Sequence, residues 1–156
     1  MSRFKVALVG LRRDYTNSAA VARLVHAVGI LVKLLQKQRG VVSVNYLASV
    51  SRHVNMDLAD ALAHLGEFYI TPIDQVDFAL ALPGWEETPE TCHEIAVMNA
   101  KGVPVFSDLP SLILAMAGYQ PGLANVARVR TAYGLCELRS FSRDSADPLL
   151  ADLFGR

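Results

Sequence analysis

The chain has 156 residues, 52% of them hydrophobic, and its fifteen basic and fifteen acidic residues give a formal net charge of zero. This length predicts one domain, residues 1–156, with a sizeable core. The balanced charge argues against nucleic acid or a membrane surface as an electrostatic partner. No apolar run approaches the roughly 20 residues of a transmembrane helix. The first apolar run is too short for a signal peptide, so a cytoplasmic protein is expected.

Short apolar runs alternate with helical patterns along the chain. Four runs predict buried strands, namely Phe4–Val9, Val41–Leu47, Phe78–Leu82 and Val103–Phe106. A last strand is predicted at Cys136–Phe141. We expect the four runs to be neighbouring parallel strands in an α/β fold. The alternation predicts a three-layer α/β/α sandwich, flavodoxin-like or Rossmann-like, around a parallel sheet of about five strands.

Capping residues and apolar periodicity mark the helices. Apolar residues at three- and four-residue steps predict a long helix that begins near Asn17 or Ser18. Thr88 as N-cap and Pro89 as first helical residue predict the start of another, which ends at Lys101-Gly102. Further helices are predicted at Asp57–Leu65, at Ser111–Gly118, from Leu123 toward Tyr133, and at Asp147–Phe154.

The stretch Asp77–Glu94 combines a buried strand, a sharp turn, a polar loop and a helix start. Pro83-Gly84 ends the strand. Ligands of open α/β sheets bind outside the carboxyl ends of the strands, which is where Pro83–Thr91 would lie. The loop Gly10–Thr16, after the first strand, would reach the same edge.

Several residues of these two loops have both a structural and a functional interpretation. Glu94, near the start of its helix, either interacts with the helix dipole or carries chemistry. Trp85, the only tryptophan, either covers the core or stacks on a ring. Thr88 and Thr91 are capping residues that could also hold a phosphate at a helix N-terminus.

The first loop contributes Arg12, Arg13 and Tyr15. The arginines are either solvated or face a ligand at the sheet edge. The loop lacks the GxGxxG pattern of dinucleotide-binding proteins. The histidines have no metal-ligand spacing, and the two cysteines make neither a metal pattern nor a disulfide framework. We therefore expect no metal and no cofactor.

Three segments, Asp77–Glu86, Thr88–Ala96 and Ala100–Val105, resemble the nucleoside 2-deoxyribosyltransferase-like superfamily. That superfamily includes 2-deoxyribosyltransferases and nucleoside 5'-monophosphate N-glycoside hydrolases. The resemblance implies a small-molecule nucleoside or nucleotide as substrate. It also implies a homo-oligomer, a dimer or a dimer of dimers, which the broad apolar surface of the first long helix favours as well.

The resemblance implies that Glu94 is the nucleophile at the anomeric carbon of the sugar. It places Thr88 at the 5' end of the nucleotide and Arg13 in a phosphate-binding loop. A carboxylate can stabilise or capture the oxocarbenium-like centre that forms when an N-glycosidic bond breaks. The implied substrate-binding residues are Gly10, Arg12, Arg13, Tyr15, Pro83, Gly84, Trp85, Thr88 and Thr91.

The chain departs from the superfamily pattern at the second catalytic acid. The superfamily usually has an aspartate ahead of the strand that Asp77 opens, whereas Tyr69 stands near that place here and Asp74 is the nearest acid. Both are candidate catalytic residues. Glu90 replaces a glycine that usually precedes the nucleophile.

Three functions stay open. The first is N-glycosidic cleavage or 2-deoxyribosyl transfer through a glutamate nucleophile. The second, from another class, is a catalytically inactive relative that binds a nucleotide or serves as a structural partner. The third is a flavodoxin-like binding module. An acid opposite Glu94 would separate the first from the others. The sequence leaves open the base, the sugar, and the choice between hydrolysis and transfer.

Overall fold

The computed structural model describes residues 4–10, 18–37, 40–44, 69–70, 75–87, 89–118, 125–141 and 147–154. The predicted helix Asp57–Leu65 lies outside these residues. The elements, in chain order, are β1 (Phe4–Val9), α1 (Ser18–Gln36), β2 (Gly40–Val44), β3 (Tyr69–Ile70), β4 (Phe78–Ala81), a short 3-10 helix (Trp85–Glu87), α2 (Pro89–Ala100), β5 (Val105–Phe106), α3 (Leu109–Met116), β6 (Asn125–Thr131), β7 (Gly134–Ser140) and α4 (Pro148–Phe154). In this part of the chain, none of the helices is long and apolar enough to cross a membrane.

The strands of the described residues form one sheet in the order β3-β2-β1-β4-β5-β7-β6. β1 pairs in parallel with β2 on one side and with β4 on the other, and β5 is parallel to β4. This arrangement confirms the four predicted neighbours. β4 and β5 are shorter than predicted, and residues 45–47 of the predicted second strand lie outside the described residues. Because β6 runs antiparallel to β7, the sheet is mixed but mostly parallel, and it has more strands than the five expected.

The prediction of a helix from Leu123 toward Tyr133 is wrong. Residues Asn125–Thr131 form the edge strand β6, which pairs along its whole length with β7. The turn Ala132-Tyr133 joins the two strands, and Gly134 follows it with φ of 134°. Val126 and Val129 favour a strand, and long-range pairing overrides the helix propensity of the neighbouring alanine and arginine residues.

The core divides into two clusters that take alternate residues of the central strands β1, β4 and β5. Val6 and Leu8 of β1 belong to the first cluster, together with residues of α1, α3 and α4. Ala7 and Val9 belong to the second, together with residues of α2 and β7. Because successive side chains of a strand point to opposite faces, the two clusters lie on opposite faces of the sheet.

A buried carboxylate joins β5, α3 and β7. Asp108 is the N-cap of α3 and accepts hydrogen bonds from the Ser111 backbone N–H at 3.0 Å and from the Ser111 hydroxyl at 2.7 Å. Its other oxygen accepts from the Ser140 hydroxyl at 2.7 Å. Asp108 is only 3% exposed, so this network replaces the water that its carboxylate loses on folding.

We expect Asp108→Ala to lower the free energy of unfolding by about 3 kcal/mol, because the change removes the acceptor of three hydrogen bonds inside the core. Urea denaturation measures the loss. Asp152→Ala, at an exposed position of α4, is the control and should change stability by less than about 0.5 kcal/mol. Equal stability of the two variants would contradict a structural role for the Asp108 network.

Candidate functional site

The order of the strands reverses between β1 and β4. From β1 the chain proceeds outward to β2 and β3, and from β4 it proceeds the other way to β5. Such a reversal opens a crevice at the carboxyl ends of the two central strands, where α/β proteins bind ligands. In this chain those carboxyl ends are followed by Gly10, after β1, and by Leu82-Pro83, after β4.

The turn after β4 is held by backbone hydrogen bonds. The Leu82 N–H donates to the Val9 carbonyl at 2.8 Å, which extends the pairing of β1 and β4 by one residue. The Trp85 N–H then donates to the Leu82 carbonyl at 3.1 Å, and Gly84 has φ of 90°. Only glycine adopts this conformation without strain, so the turn that Pro83-Gly84 predicted is confirmed.

Gly10 brings the two loops into contact. Its φ is 99°, and a Cβ at this position would lie 3.2 Å from Trp85 Cβ and 3.3 Å from the Leu82 carbonyl oxygen. Any larger residue would therefore have to displace the turn. The structure thus brings together four predicted site residues, Gly10, Pro83, Gly84 and Trp85.

Glu94 lies in the first two turns of α2 and is 3% exposed. Thr91, one turn earlier, is 5% exposed, and its hydroxyl donates to the Trp85 carbonyl. The bond ties the start of α2 to the turn after β4. A glutamate is almost never buried to this extent unless it has partners, so Glu94 is not a solvated surface charge.

Helical geometry shows which way Glu94 faces. Asn99 lies on the flank of α2 that contacts β7, where its amide exchanges hydrogen bonds with the backbone of Glu137 at 2.9 and 3.0 Å. Cys92 lies on the same flank, and Glu94 is about 160° around the helix from Cys92. Glu94 therefore lies on the flank of α2 opposite the one that contacts β7.

The structure describes only some of the other predicted site residues. Arg12, Arg13, Tyr15, Asp74 and Thr88 lie outside the described residues. Tyr69 opens β3 and shares a row of the sheet with Ser43, Ala7 and Ala79. Three strand spacings separate its backbone from β4, or about 14 Å.

A cavity of about 570 Å³ lies on the far side of the turn, between β4, the β6–β7 hairpin and α4. It is lined by Ala81, Pro83, Gly84, Trp85, Glu86, Ser107, Ala127, Val129, Leu138, Asp147, Pro148, Leu150 and Ala151. Sequence reasoning placed Pro83, Gly84 and Trp85 at a site but missed the rest. Ser107 follows β5 at the carboxyl edge of the sheet, so the same rule could have found it; the residues of the hairpin and α4 carried no such signal.

Two buried thiols lie beneath the turn, between α2 and β7. Cys92 and Cys136 are each 1% exposed and neither forms a disulfide. The Cys136 thiol contacts the Cys92 carbonyl at 3.5 Å, and the Cys92 thiol lies 3.7 Å from the carbonyls of Trp85 and Glu86. Burial raises the pKa of the Cys136 thiol to about 11, and the neighbouring Cys92 thiol adds to the effect.

We expect Gly10→Ala to lower the free energy of unfolding by about 3 kcal/mol, through left-handed strain and the collision with Trp85 and Leu82. Gly118→Ala is the matched control, because Gly118 has φ of 94° but nothing within 4 Å of an added Cβ. It should cost only about 1 kcal/mol. Urea denaturation gives both values, and only Gly10→Ala should shift Trp85 fluorescence. Equal effects would contradict the close contact.

The raised pKa of Cys136 predicts a loss of stability in alkali. The folded state holds the thiol proton up to about pH 11, whereas the unfolded chain releases it near 9.0. The contribution of the protonated Cys136 thiol to the free energy of unfolding is therefore complete below pH 9. It is lost between pH 9 and 11, which lowers the free energy of unfolding by on the order of 2 kcal/mol. Denaturation across this range should show a shallower decline for Cys136→Ala than for the unchanged chain. Parallel declines would contradict the shift.

Among the described residues, no group of three or more histidine, cysteine, aspartate or glutamate side chains could hold a metal ion. Comparison of the chain with protein-family models, with curated proteins and with solved structures gave no match. The interpretation of the crevice therefore depends on its geometry, on the chemistry of its side chains and on the resemblance of the central motif.

Proposed function

We propose that the protein cleaves the N-glycosidic bond of a nucleoside or nucleoside 5'-monophosphate, or transfers its 2-deoxyribosyl group, with Glu94 as nucleophile. One observation carries the proposal: the chain buries Glu94 to 3% exposure on α2, the helix that follows the turn after β4, on the flank away from β7. A carboxylate that is buried near the carboxyl edge of the sheet is more typical of a catalytic group than of a surface charge. The resemblance of Asp77–Val105 points to the same residue.

The chemistry needs a carboxylate that faces the anomeric carbon. Glu94 would attack that carbon as the bond to the base breaks, and the resulting glycosyl ester would be released by water or by a second base. A buried site strengthens the attraction between the carboxylate and the developing positive charge of the sugar. The departing base needs a proton, for which Asp74 or Tyr69 is the proposed source.

The two loops at the carboxyl edge of the sheet would supply the rest of the proposed site. Gly10 and the Pro83–Trp85 turn would form the floor of the crevice, and Thr91 would hold α2 against it. Arg12, Arg13, Tyr15 and Thr88 are proposed to bind the 5' end of the substrate. We also propose a flavodoxin-like three-layer arrangement and a homo-oligomer, as the resemblance implies.

We expect Glu94→Gln to reduce the release of free base from nucleosides and nucleoside 5'-monophosphates by at least about 100-fold, because an amide is a poor nucleophile. Chromatography of a substrate panel measures the free base. Glu87→Gln, in the exposed 3-10 helix, is the matched control and should keep full activity. Intact-mass analysis should detect a glycosyl adduct on the unchanged protein and none on Glu94→Gln.

Two results would contradict the proposal. Base release by Glu94→Gln at the rate of the unchanged protein would remove Glu94 from the mechanism. No base release from any member of the panel, combined with saturable binding of a nucleotide, would favour the catalytically inactive relative instead.

A further inference from the structure

We propose that the cavity between the Pro83–Glu86 turn, the β6–β7 hairpin and α4 is a second ligand site, which binds an uncharged, planar heteroaromatic molecule. Glu94 is not among the described residues that line it. The inference therefore goes beyond the proposed reaction and does not require Glu94 to be a nucleophile.

The size and position of the cavity suit a small molecule. Its volume of about 570 Å³ falls within the range of roughly 300–1,000 Å³ that small-molecule sites occupy. It lies outside the carboxyl ends of β4 and β5, where Ala81 and Ser107 contribute to its walls. Ligands of α/β proteins collect at this edge of the sheet.

The walls favour an apolar, flat ligand. Val129, Leu138 and Leu150 supply aliphatic surface, and Trp85 supplies the one aromatic side chain among the described lining residues. Trp85 is half-buried, so part of its surface is open to contact. A flat indole gains most from a second flat ring, through stacking and through the water that both surfaces release.

The described lining of the cavity disfavours anions. Its acidic residues are Glu86 and Asp147, and none of the described residues that line it is basic. The Asp147 carboxylate already accepts backbone N–H groups of Leu109 at 2.7 Å, Leu149 at 3.0 Å and Leu150 at 3.2 Å, so its hydrogen-bonding capacity is largely used within the protein. Glu86 is exposed at the rim. An uncharged ligand meets the smallest desolvation penalty here.

Ser107 provides a polar contact inside the cavity. It is half-buried, and within the described part of the chain its hydroxyl makes no hydrogen bond, while its backbone N–H donates to the Arg139 carbonyl at 3.1 Å. A half-buried hydroxyl with unused capacity favours a ligand that carries a ring nitrogen or an N–H group. A heteroaromatic ring meets this requirement, whereas a hydrocarbon does not.

Titration of Trp85 fluorescence with adenine and with nicotinamide, in the absence of any nucleoside, tests the proposal. We expect at least one of them to give a saturable change. Nicotinate, the anionic counterpart of nicotinamide, should bind at least about tenfold more weakly than the better probe. Calorimetry repeats the measurement without the tryptophan signal.

Substitutions on opposite walls locate the binding. Ala127→Phe and Ala151→Phe fill the cavity from positions of β6 and α4 that are exposed and therefore tolerate larger side chains. Each should lower the affinity for the better-binding probe at least about tenfold. Ala96→Phe, at an exposed helical position outside the cavity, is the matched control and should bind normally. Glu94→Gln should bind normally as well, which separates this site from the proposed reaction. Absence of saturable binding by both neutral probes, unchanged binding by the two filling variants, or equal binding of nicotinate would overturn the proposal.

Discussion

The close approach of the end of β1 to the turn after β4 is the constraint on which the candidate site depends. Gly10 at φ of 99° leaves no space for a Cβ between itself and Trp85, and the Leu82 N–H closes the gap by bonding to the Val9 carbonyl. This contact fixes where the 3-10 helix begins. The hydroxyl of Thr91 then bonds to the Trp85 carbonyl, so the turn also sets the position of α2 and of Glu94.

The opposite flank of α2 is fixed by polar contacts with β7. Asn99 exchanges two hydrogen bonds with the backbone of Glu137, and the Cys136 thiol contacts the carbonyl of Cys92. These contacts anchor the β6–β7 hairpin, which in turn forms a wall of the cavity. One flank of α2 thus anchors the hairpin, whereas Glu94 lies on the opposite flank. Polar contacts of this kind are directional, so they fix a single register of helix against strand.

The sequence predicted the central part of the fold well because the signals there are local. Strands whose side chains are buried on both faces of a sheet have continuous apolar sequences. These runs located β1 and β4 to within a residue. Pro89 marked the start of α2 correctly, whereas α3 begins at Leu109, two residues before the predicted Ser111. The prediction of a helix up to Tyr133 was wrong because the structure of that segment depends on contacts that are distant in sequence. Residues 125–131 have a mixed local preference, and their pairing with β7 settles it.

For the site, the sequence by itself determined the turn at Pro83-Gly84, the meeting of the Gly10 loop with that turn, and the identity of Glu94 as the acid to consider. Turn chemistry and the parallel order of strands are enough for these inferences. Only the tertiary structure decided that Glu94 is buried and that Asp108 is enclosed in a hydrogen-bonded network. It alone revealed the cavity that joins the turn, the hairpin and α4. Burial and cavity shape arise from side chains that are distant in sequence, and no local pattern encodes those contacts.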